Sequence, residues 1–248
     1  MRELLAPELL EIWERGSAQP ATERALTLLR AARPDLETET LADMSIGRRD
    51  GLLLSLREAT FGRRLASITN CPDCREQLEL GFDIHQLERG HPCPQSLESP
   101  SSRSFKEGHF EVTFRLPNSR DLAVASAAVD VDSARESLMR RCVLSARRDG
   151  QEIETDQMPA QILEKLEEEM STLDAQANIQ VELECPSCRR GWTVAFDILA
   201  FFWSELDAWA QRMLVEVHKL ASAYGWREAD ILAMSATRRS IYLNIING

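Results

Sequence analysis

Two short turns, far apart in the chain, constrain this sequence more than any other feature. "CPDC" runs from Cys71 to Cys74 and "CPSC" from Cys185 to Cys188. The segments "CPDCREQLELGFDIHQL" and "CPSCRRGWTVAFDILAF" superpose at a constant offset of 114 residues. That offset carries Cys74 to Cys188, Leu78 to Trp192, Leu80 to Val194, and Phe82-Asp83-Ile84 to Phe196-Asp197-Ile198. The chain therefore holds one unit twice: a tight proline-containing turn, an outgoing strand, and Asp-Ile leading into the next segment.

The duplication points to a chemistry. A CPxC turn offers two thiolates, with backbone amides aimed at the sulfurs, and zinc takes four ligands in a tetrahedron. Two such knuckles facing across a pseudo-two-fold axis complete a four-cysteine site of the zinc-ribbon kind. Cys71, Cys74, Cys185 and Cys188 are thus the expected ligands of one structural zinc ion per chain. Four thiolates leave no open coordination position, so a catalytic zinc is not expected. Ribbons usually separate their knuckles by roughly 15–20 residues; here a subdomain is inserted between them. The competing readings are two unrelated buried CxxC turns and a redox dithiol. A redox dithiol would place its CxxC between a strand and a helix, whereas strand residues follow each turn here. Cys93, in "HPCP" with His91, is a weaker ligand candidate because the knuckles already supply four sulfurs. Cys142 reads as a small buried residue.

Metal rather than disulfide also follows from the expected compartment. The stretch "MRELLAPELLEIWERG" alternates charge with apolar residues and has no uninterrupted apolar core of a signal peptide. No apolar run approaches the roughly 20 residues of a membrane span, so a cytoplasmic protein without a membrane partner is expected, with its thiols reduced. Twenty-nine Lys and Arg against forty Asp and Glu give a net charge of −11, which repels phosphate and argues against a nucleic-acid partner.

Periodicity supplies the organisation. Residues 1–60 form an N-terminal helical region: Leu4, Leu5, Leu9, Ile12 and Trp13 make one stripe, Leu26, Leu28 and Leu29 a second ending near Pro34, and Leu52, Leu53, Leu54 and Leu56 a third capped by Ser45. Residues 61–87 hold the first knuckle and a strand through Leu78, Leu80, Phe82 and Ile84. Residues 88–108, rich in Pro, Ser and Gly, read as a linker. An inserted module spans 109–178. It begins with a strand through Phe110, Val112, Phe114 and Leu116, and continues with a helix capped by Asn118 or Ser119 and helices around Ser133–Ala146 and Pro159–Leu173. Residues 179–198 carry the second knuckle and strand, and 199–248 the C-terminal helices, with Gly225 as a left-handed stop and Ser235 as a cap. The expected fold class is α+β: mainly helical, with a small zinc-ribbon-like β unit formed by the two CPxC knuckles and an inserted strand-plus-helices module.

No other constellation assembles an active site. The four histidines, His85, His91, His109 and His218, form no HExxH pair, and no GxSxG or phosphate-binding glycine loop occurs. Asp83 and Asp197, at equivalent positions after a strand, read as helix N-caps rather than paired catalytic carboxylates. The two "RRDG" stretches, 48–51 and 147–150, read as solvated turns. Glu216 and His218 fit either a partner contact or a buried network. No enzymatic activity is expected.

The C-terminal stretch carries a likeness. A long Trp-containing helix leads to Glu216-Val217-His218, Leu220-Ala221 and Tyr224-Gly225-Trp226, then Ile231-Leu232, Met234-Ser235, Arg238-Arg239 and Tyr242-Leu243. With "FEVTFRLPNSRDLAVA" and the CxxC units, it resembles the T-even-type baseplate hub assembly chaperone family, in the zinc-bearing form associated with contractile injection systems. The resemblance implies a non-enzymatic assembly protein, chaperone or structural component. Its implied partners are the hub, spike or tube proteins of a contractile tail. On the long helix, Trp209 and Met213 are expected to face inward and Phe201 or Trp226 to be available to a partner. The alternative is a zinc-ribbon regulator that binds nucleic acid, suggested by Arg189-Arg190 beside the second knuckle and opposed by the acidic balance.

Overall fold

The computed structural model describes residues 2–88 and 102–247. His91 and Cys93 lie outside the described residues. The N-terminal region contains α1 (Ala6–Gly16), α2 (Ala21–Ala32), α3 (Thr38–Asp43) and α4 (Ile46–Phe61). The three leucine stripes become α1, α2 and α4, and bury Leu9, Ile12, Leu28, Leu29, Leu53, Leu54 and Leu56. The six-residue α3 shows no apolar repeat of its own and was not marked by periodicity.

The hairpin β1 (Arg64–Asn70) and β2 (Gln77–Asp83) follows, then the short α5 (Ile84–Glu88). The inserted module is an antiparallel sheet ordered β3-β4-β5-β6, formed by Arg103–Glu107, Phe110–Phe114, Val143–Arg148 and Gln151–Ile153. It is covered by α7 (Val131–Cys142) and α8 (Ala160–Leu173), while α6 (Ser119–Ala125) packs on α7 and on the N-terminal helices α2 and α3. Two expectations are corrected here. The helix expected to run to Ala146 stops at Cys142, because Val143 and Ala146 pair with Phe114 and Val112 in the sheet. The end of the stretch read as linker is strand β3, held by the pairing of Phe105 with Val112.

The second hairpin, β7 (Gln180–Glu184) with β8 (Gly191–Ala195), feeds the 27-residue α9 (Ile198–Tyr224), which is followed by α10 (Glu228–Leu232) and α11 (Ala236–Asn247). The fold is α+β and mainly helical, as expected. Gly225 ends α9 at φ +67°, the left-handed conformation that glycine adopts without strain. The first half of α9 shares a core with α1, α2, α4, β1 and α5 through Ile198, Leu199, Phe202 and Leu206. Its second half packs on α10 and α11 through Met213, Val217, Leu220, Ile231 and Leu232. Where α1 crosses α9, a Cβ on Gly16 would stand 2.2 Å from the Trp203 ring, so only glycine fits. No helix among the described residues is long and apolar enough to cross a membrane.

The inserted module is fastened to the start of α4. Asp174, at the end of α8, accepts hydrogen bonds from the Ser45 hydroxyl and the Gly47 amide, each at 2.9 Å. Ile46 donates its amide to the Pro117 carbonyl at 3.0 Å. Ser45 thus stands at the N-cap position, but the acceptor for the helix's free amide comes from a distant segment. This contact overturns one expectation. The first "RRDG" lies inside α4, with Arg48, Arg49 and Gly51 buried. The docked module covers the face that would otherwise be solvated, and Arg49 pairs with Asp50 at 2.8 Å. The second "RRDG" is a turn, with Asp149 and Gly150 both at positive φ between β5 and β6.

Candidate metal centre

Both knuckles sit on the tip of a two-stranded antiparallel hairpin, and the two hairpins have the same register. Asn70–Gln77, Ile68–Glu79 and Leu65–Phe82 in the first recur as Glu184–Gly191, Glu182–Thr193 and the Ile179–Phe196 contact in the second. The turns also hydrogen-bond alike. Cys71 N–H donates to Glu76 O and Arg75 N–H to Cys71 O; Cys185 N–H donates to Arg190 O and Arg189 N–H to Cys185 O, all at 2.9–3.0 Å. Arg75 and Arg189 occupy the left-handed region at φ 61° and 63°. The repeat thus extends back over the ingoing strands and into backbone conformation.

The hairpins face each other. The equivalent residues Phe82 and Phe196 meet edge to face with ring centroids 6.0 Å apart, and Leu78, Leu80 and Trp192 pack around Cys71 and Cys185. At the tip, Cys71 Sγ lies 3.6 Å from Cys188 Sγ and Cys74 Sγ lies 3.6 Å from Cys185 Sγ. Exchanging the units interchanges these two contacts, as a pseudo-two-fold axis requires. All four sulfurs lie within 4.8 Å of one another. Cys71 and Cys185 are buried, while Cys74 and Cys188 are exposed. Sulfurs on a tetrahedron with bonds of about 2.3 Å are separated by roughly 3.8 Å. The donor set and its spacing therefore fit a tetrahedral thiophilic ion.

The local electrostatics agree. Burial opposes ionisation of Cys71, but the backbone amides of Cys74 and Asp73 aimed at its sulfur outweigh it and lower its pKa to about 7. The Glu76 amide favours the Cys74 thiolate, yet burial and the three neighbouring sulfurs push that thiol up to about 12. Cys188 is raised as well: the Arg190 amide, equivalent to that of Glu76, is outweighed by burial and by the sulfurs of Cys71 and Cys185. One thiolate forms readily in this cluster and further ones repel it, which a cation among the sulfurs would reverse.

The hairpins are anchored differently. Asp197 caps α9 by accepting the Ala200 amide at 3.0 Å, so the second hairpin runs straight into the longest helix. Asp83 accepts the His85 amide at 3.0 Å at the start of α5. Both aspartates act as helix caps, as expected from their place in the repeat. The first hairpin is tied down by Arg57, which the sequence reading did not single out. Its guanidinium is buried, donates to both Glu205 carboxylate oxygens at 2.7 and 2.5 Å and to the carbonyls of Gly62 and Arg64 at 2.6 and 2.8 Å, and lies over the Phe201 ring. Only its position among leucines on α4 could have hinted at it.

The remaining candidates resolve into structure. Cys142 is buried, and that burial pushes its thiol up to about 12. Arg189 pairs with Glu184 at 3.3 Å. Glu216 accepts from the buried Arg239 at 3.0 Å and ties α11 to α9, while His218 is exposed. Met213 is buried and Trp209 partly so, but Phe201 and Trp226 are engaged internally: Phe201 under Arg57, and Trp226 stacked on Tyr224 at 4.4 Å and against Tyr242 at 4.8 Å. The exposed apolar side chains among the described residues of this region are instead Leu214, Val215, Tyr224, Ile241, Ile245 and Ile246.

The model of the family described as "T4 bacteriophage base plate protein" matches residues 23–203, a segment that includes both hairpins and the inserted module. The match ends before Tyr224-Gly225-Trp226, so it rests on other residues than most of those that carried the resemblance. No curated protein and no solved structure matches the chain.

Proposed function

The chain belongs to the T4 bacteriophage base plate protein family, and on that premise we propose that it serves baseplate assembly in a contractile tail or injection system, as a chaperone or a component of the particle, binding hub, spike or tube proteins. We assign Cys71, Cys74, Cys185 and Cys188 as ligands of one structural zinc ion. The observation that carries the reading is the family match over both knuckles, joined to a four-sulfur cluster within 4.8 Å. A four-thiolate site has no free position for substrate, which supports a role in architecture.

The protein's own residues give the metal centre its purpose. The second hairpin is continuous with α9, and the first is clamped to α4 and α9 by Arg57. Zinc bound between the tips supplies a cross-link between the two knuckles. Closing them fixes the inserted module between segments that are distant in sequence, so a partner surface drawn from the N-terminal helices and from α9–α11 keeps one geometry. Leu214 and Val215 on α9, with Ile241 and Ile245 on α11, offer apolar contacts for such a surface.

The test is co-purification with candidate hub, spike and tube proteins of the same operon, for wild type and for Cys71→Ser, with metal analysis of both. Wild type should hold close to one zinc and recover a baseplate partner, and Cys71→Ser should lose both. Equal recovery by a folded, zinc-free variant would detach the metal from assembly; no baseplate partner for wild type would overturn the assembly role.

A further inference from the structure

We propose that the cysteine cluster is also an oxidative modification site: once free of metal, it is converted by a hydroperoxide into two disulfides that cross between the knuckles, Cys71–Cys188 and Cys74–Cys185. Two observations carry this. Both cross-knuckle pairs stand at 3.6 Å, close enough for bond formation by a small movement of the tips. Each pair joins an exposed residue, Cys188 or Cys74, to a buried one, Cys71 or Cys185. The peroxide therefore reaches one member, and the other is sheltered beside it. The 3.6 Å contacts run between the knuckles, which favours a bridge to the facing knuckle over one within a turn.

The step balances. The sulfur of Cys188 attacks one peroxide oxygen and the O–O bond breaks. The other oxygen leaves as water, taking up the thiol proton, and a sulfenic acid remains. The sulfur of Cys71 then displaces the hydroxyl as a second water, and the S–S bond forms. Two thiols give up two electrons and two protons, and one peroxide becomes two waters. Cys74 and Cys185 react in the same way with a second peroxide. The bridges would close loops between positions 117 and 111 residues apart, so the oxidised, metal-free chain keeps the hairpins clamped rather than releasing them.

This inference rests on the metal reading only for the order of events, metal loss before oxidation. Full-length protein is stripped with a chelator, treated with two equivalents of hydrogen peroxide, alkylated and digested with trypsin without reductant. The expected product is the peptide Leu65–Arg75 joined covalently to Leu166–Arg189, with faster migration of the intact chain on a non-reducing gel. The variant Cys74→Ser with Cys185→Ser should still form the link through Cys71 and Cys188; Cys185→Ser with Cys188→Ser should form none. The two peptides recovered separately, each with an internal bridge and with unchanged migration, would overturn the proposal. Metal content of the untreated protein is measured in the same preparation. Absence of zinc there would sink the metal reading without touching the disulfide pattern, so the two failures are distinguishable.

Discussion

The two hairpins are the same object to the level of register and turn hydrogen bonding, yet they are built into the molecule in opposite ways. After Phe196-Asp197-Ile198 come Leu199, Phe202, Leu206, Ala210 and Met213, an apolar stripe that carries α9 for 27 residues through two cores. After Phe82-Asp83-Ile84 come His85, Gln86, Leu87 and Glu88, and α5 is five residues long. A repeated strand-turn-strand is encoded locally, but its attachment is encoded by the residues downstream of it. The second unit is anchored by chain continuity. The first follows α4 through Gly62 and Arg63 and buries Leu65 and Ile84 in the shared core, with one buried guanidinium on α4 holding the base of the hairpin.

Removing that guanidinium is therefore the largest way to break the comparison. Arg57→Ala leaves the Gly62 and Arg64 carbonyls without donors and Glu205 without its partner. Breaking one side of a buried, fully hydrogen-bonded pair costs about 3–5 kcal/mol. Urea denaturation should show a loss of that size. Hydrogen exchange should show 64–70 and 77–83 losing protection, while 180–184 and 191–195 keep it. Equal loss in both hairpins would mean that the first has no separate anchorage.

Metal removal should treat the two units alike. Any one of Cys71→Ser, Cys74→Ser, Cys185→Ser and Cys188→Ser should abolish stoichiometric zinc, since each removes a quarter of one shared site. Zinc held at 100–1,000 times its dissociation constant contributes about 3–4 kcal/mol by mass action. Chelation should thus lower the urea midpoint of wild type and leave that of all four variants unchanged. A variant of one knuckle that still binds one zinc would show that the site is not shared.

How much of this was legible depended on whether the signal was local. The knuckles, the caps at Asn118 and Asp197 and the stop at Gly225 follow from residues within a turn of each other, and the repeat joined the two half-sites without any structure. Strand β1 was not legible, because its inward side carries Leu65, Ser67 and Thr69 while the aliphatic Ile68 points out and is 62% exposed. Alternation was present in the backbone but not in the hydrophobicity. Arg57 was invisible for a different reason: its partners arrive from positions as distant as Glu205.

The paired "RRDG" stretches make the same point, since one sequence became a buried helical segment and a surface turn. The buried copy has a consequence for pH. Burial raises the pKa of Asp50 to about 6 from an ordinary 3.8, against the pull of Arg49 and helped by the negative charges of Asp197 and Asp174. The folded state therefore holds a proton that the unfolded state has already released. The stability linked to this group is fully present below about pH 4 and is lost as pH rises through 6, up to about 3 kcal/mol in all. Asp174 is raised in the same direction, by burial, so Asp50→Asn should flatten the slope between pH 4 and 6 without abolishing it. An unchanged slope would show that Asp50 is ionised when folded.

The smallest effect separates the two units at the residue they share. Asp197 and Asp83 occupy equivalent places, and each carboxylate accepts one backbone amide at 3.0 Å. The Asp197 cap satisfies one of the free amides of a helix that two cores hold in place, so its loss is felt by the whole fold. Asp197→Ala should cost about 1 kcal/mol, the usual value for losing an N-cap acceptor. Asp83 begins a helix of five residues and is half-buried, paired loosely with Arg63 at 3.4 Å. Its carboxyl is held below the ordinary range, chiefly by the His85 amide and, against burial, by Arg63. Asp83→Ala should leave the urea midpoint where it is, because α5 frays at little expense to the rest of the chain. Equal destabilisation by the two substitutions would mean that the caps serve the hairpins themselves rather than the helices beyond them, and that the repeated unit extends one step further than its strands.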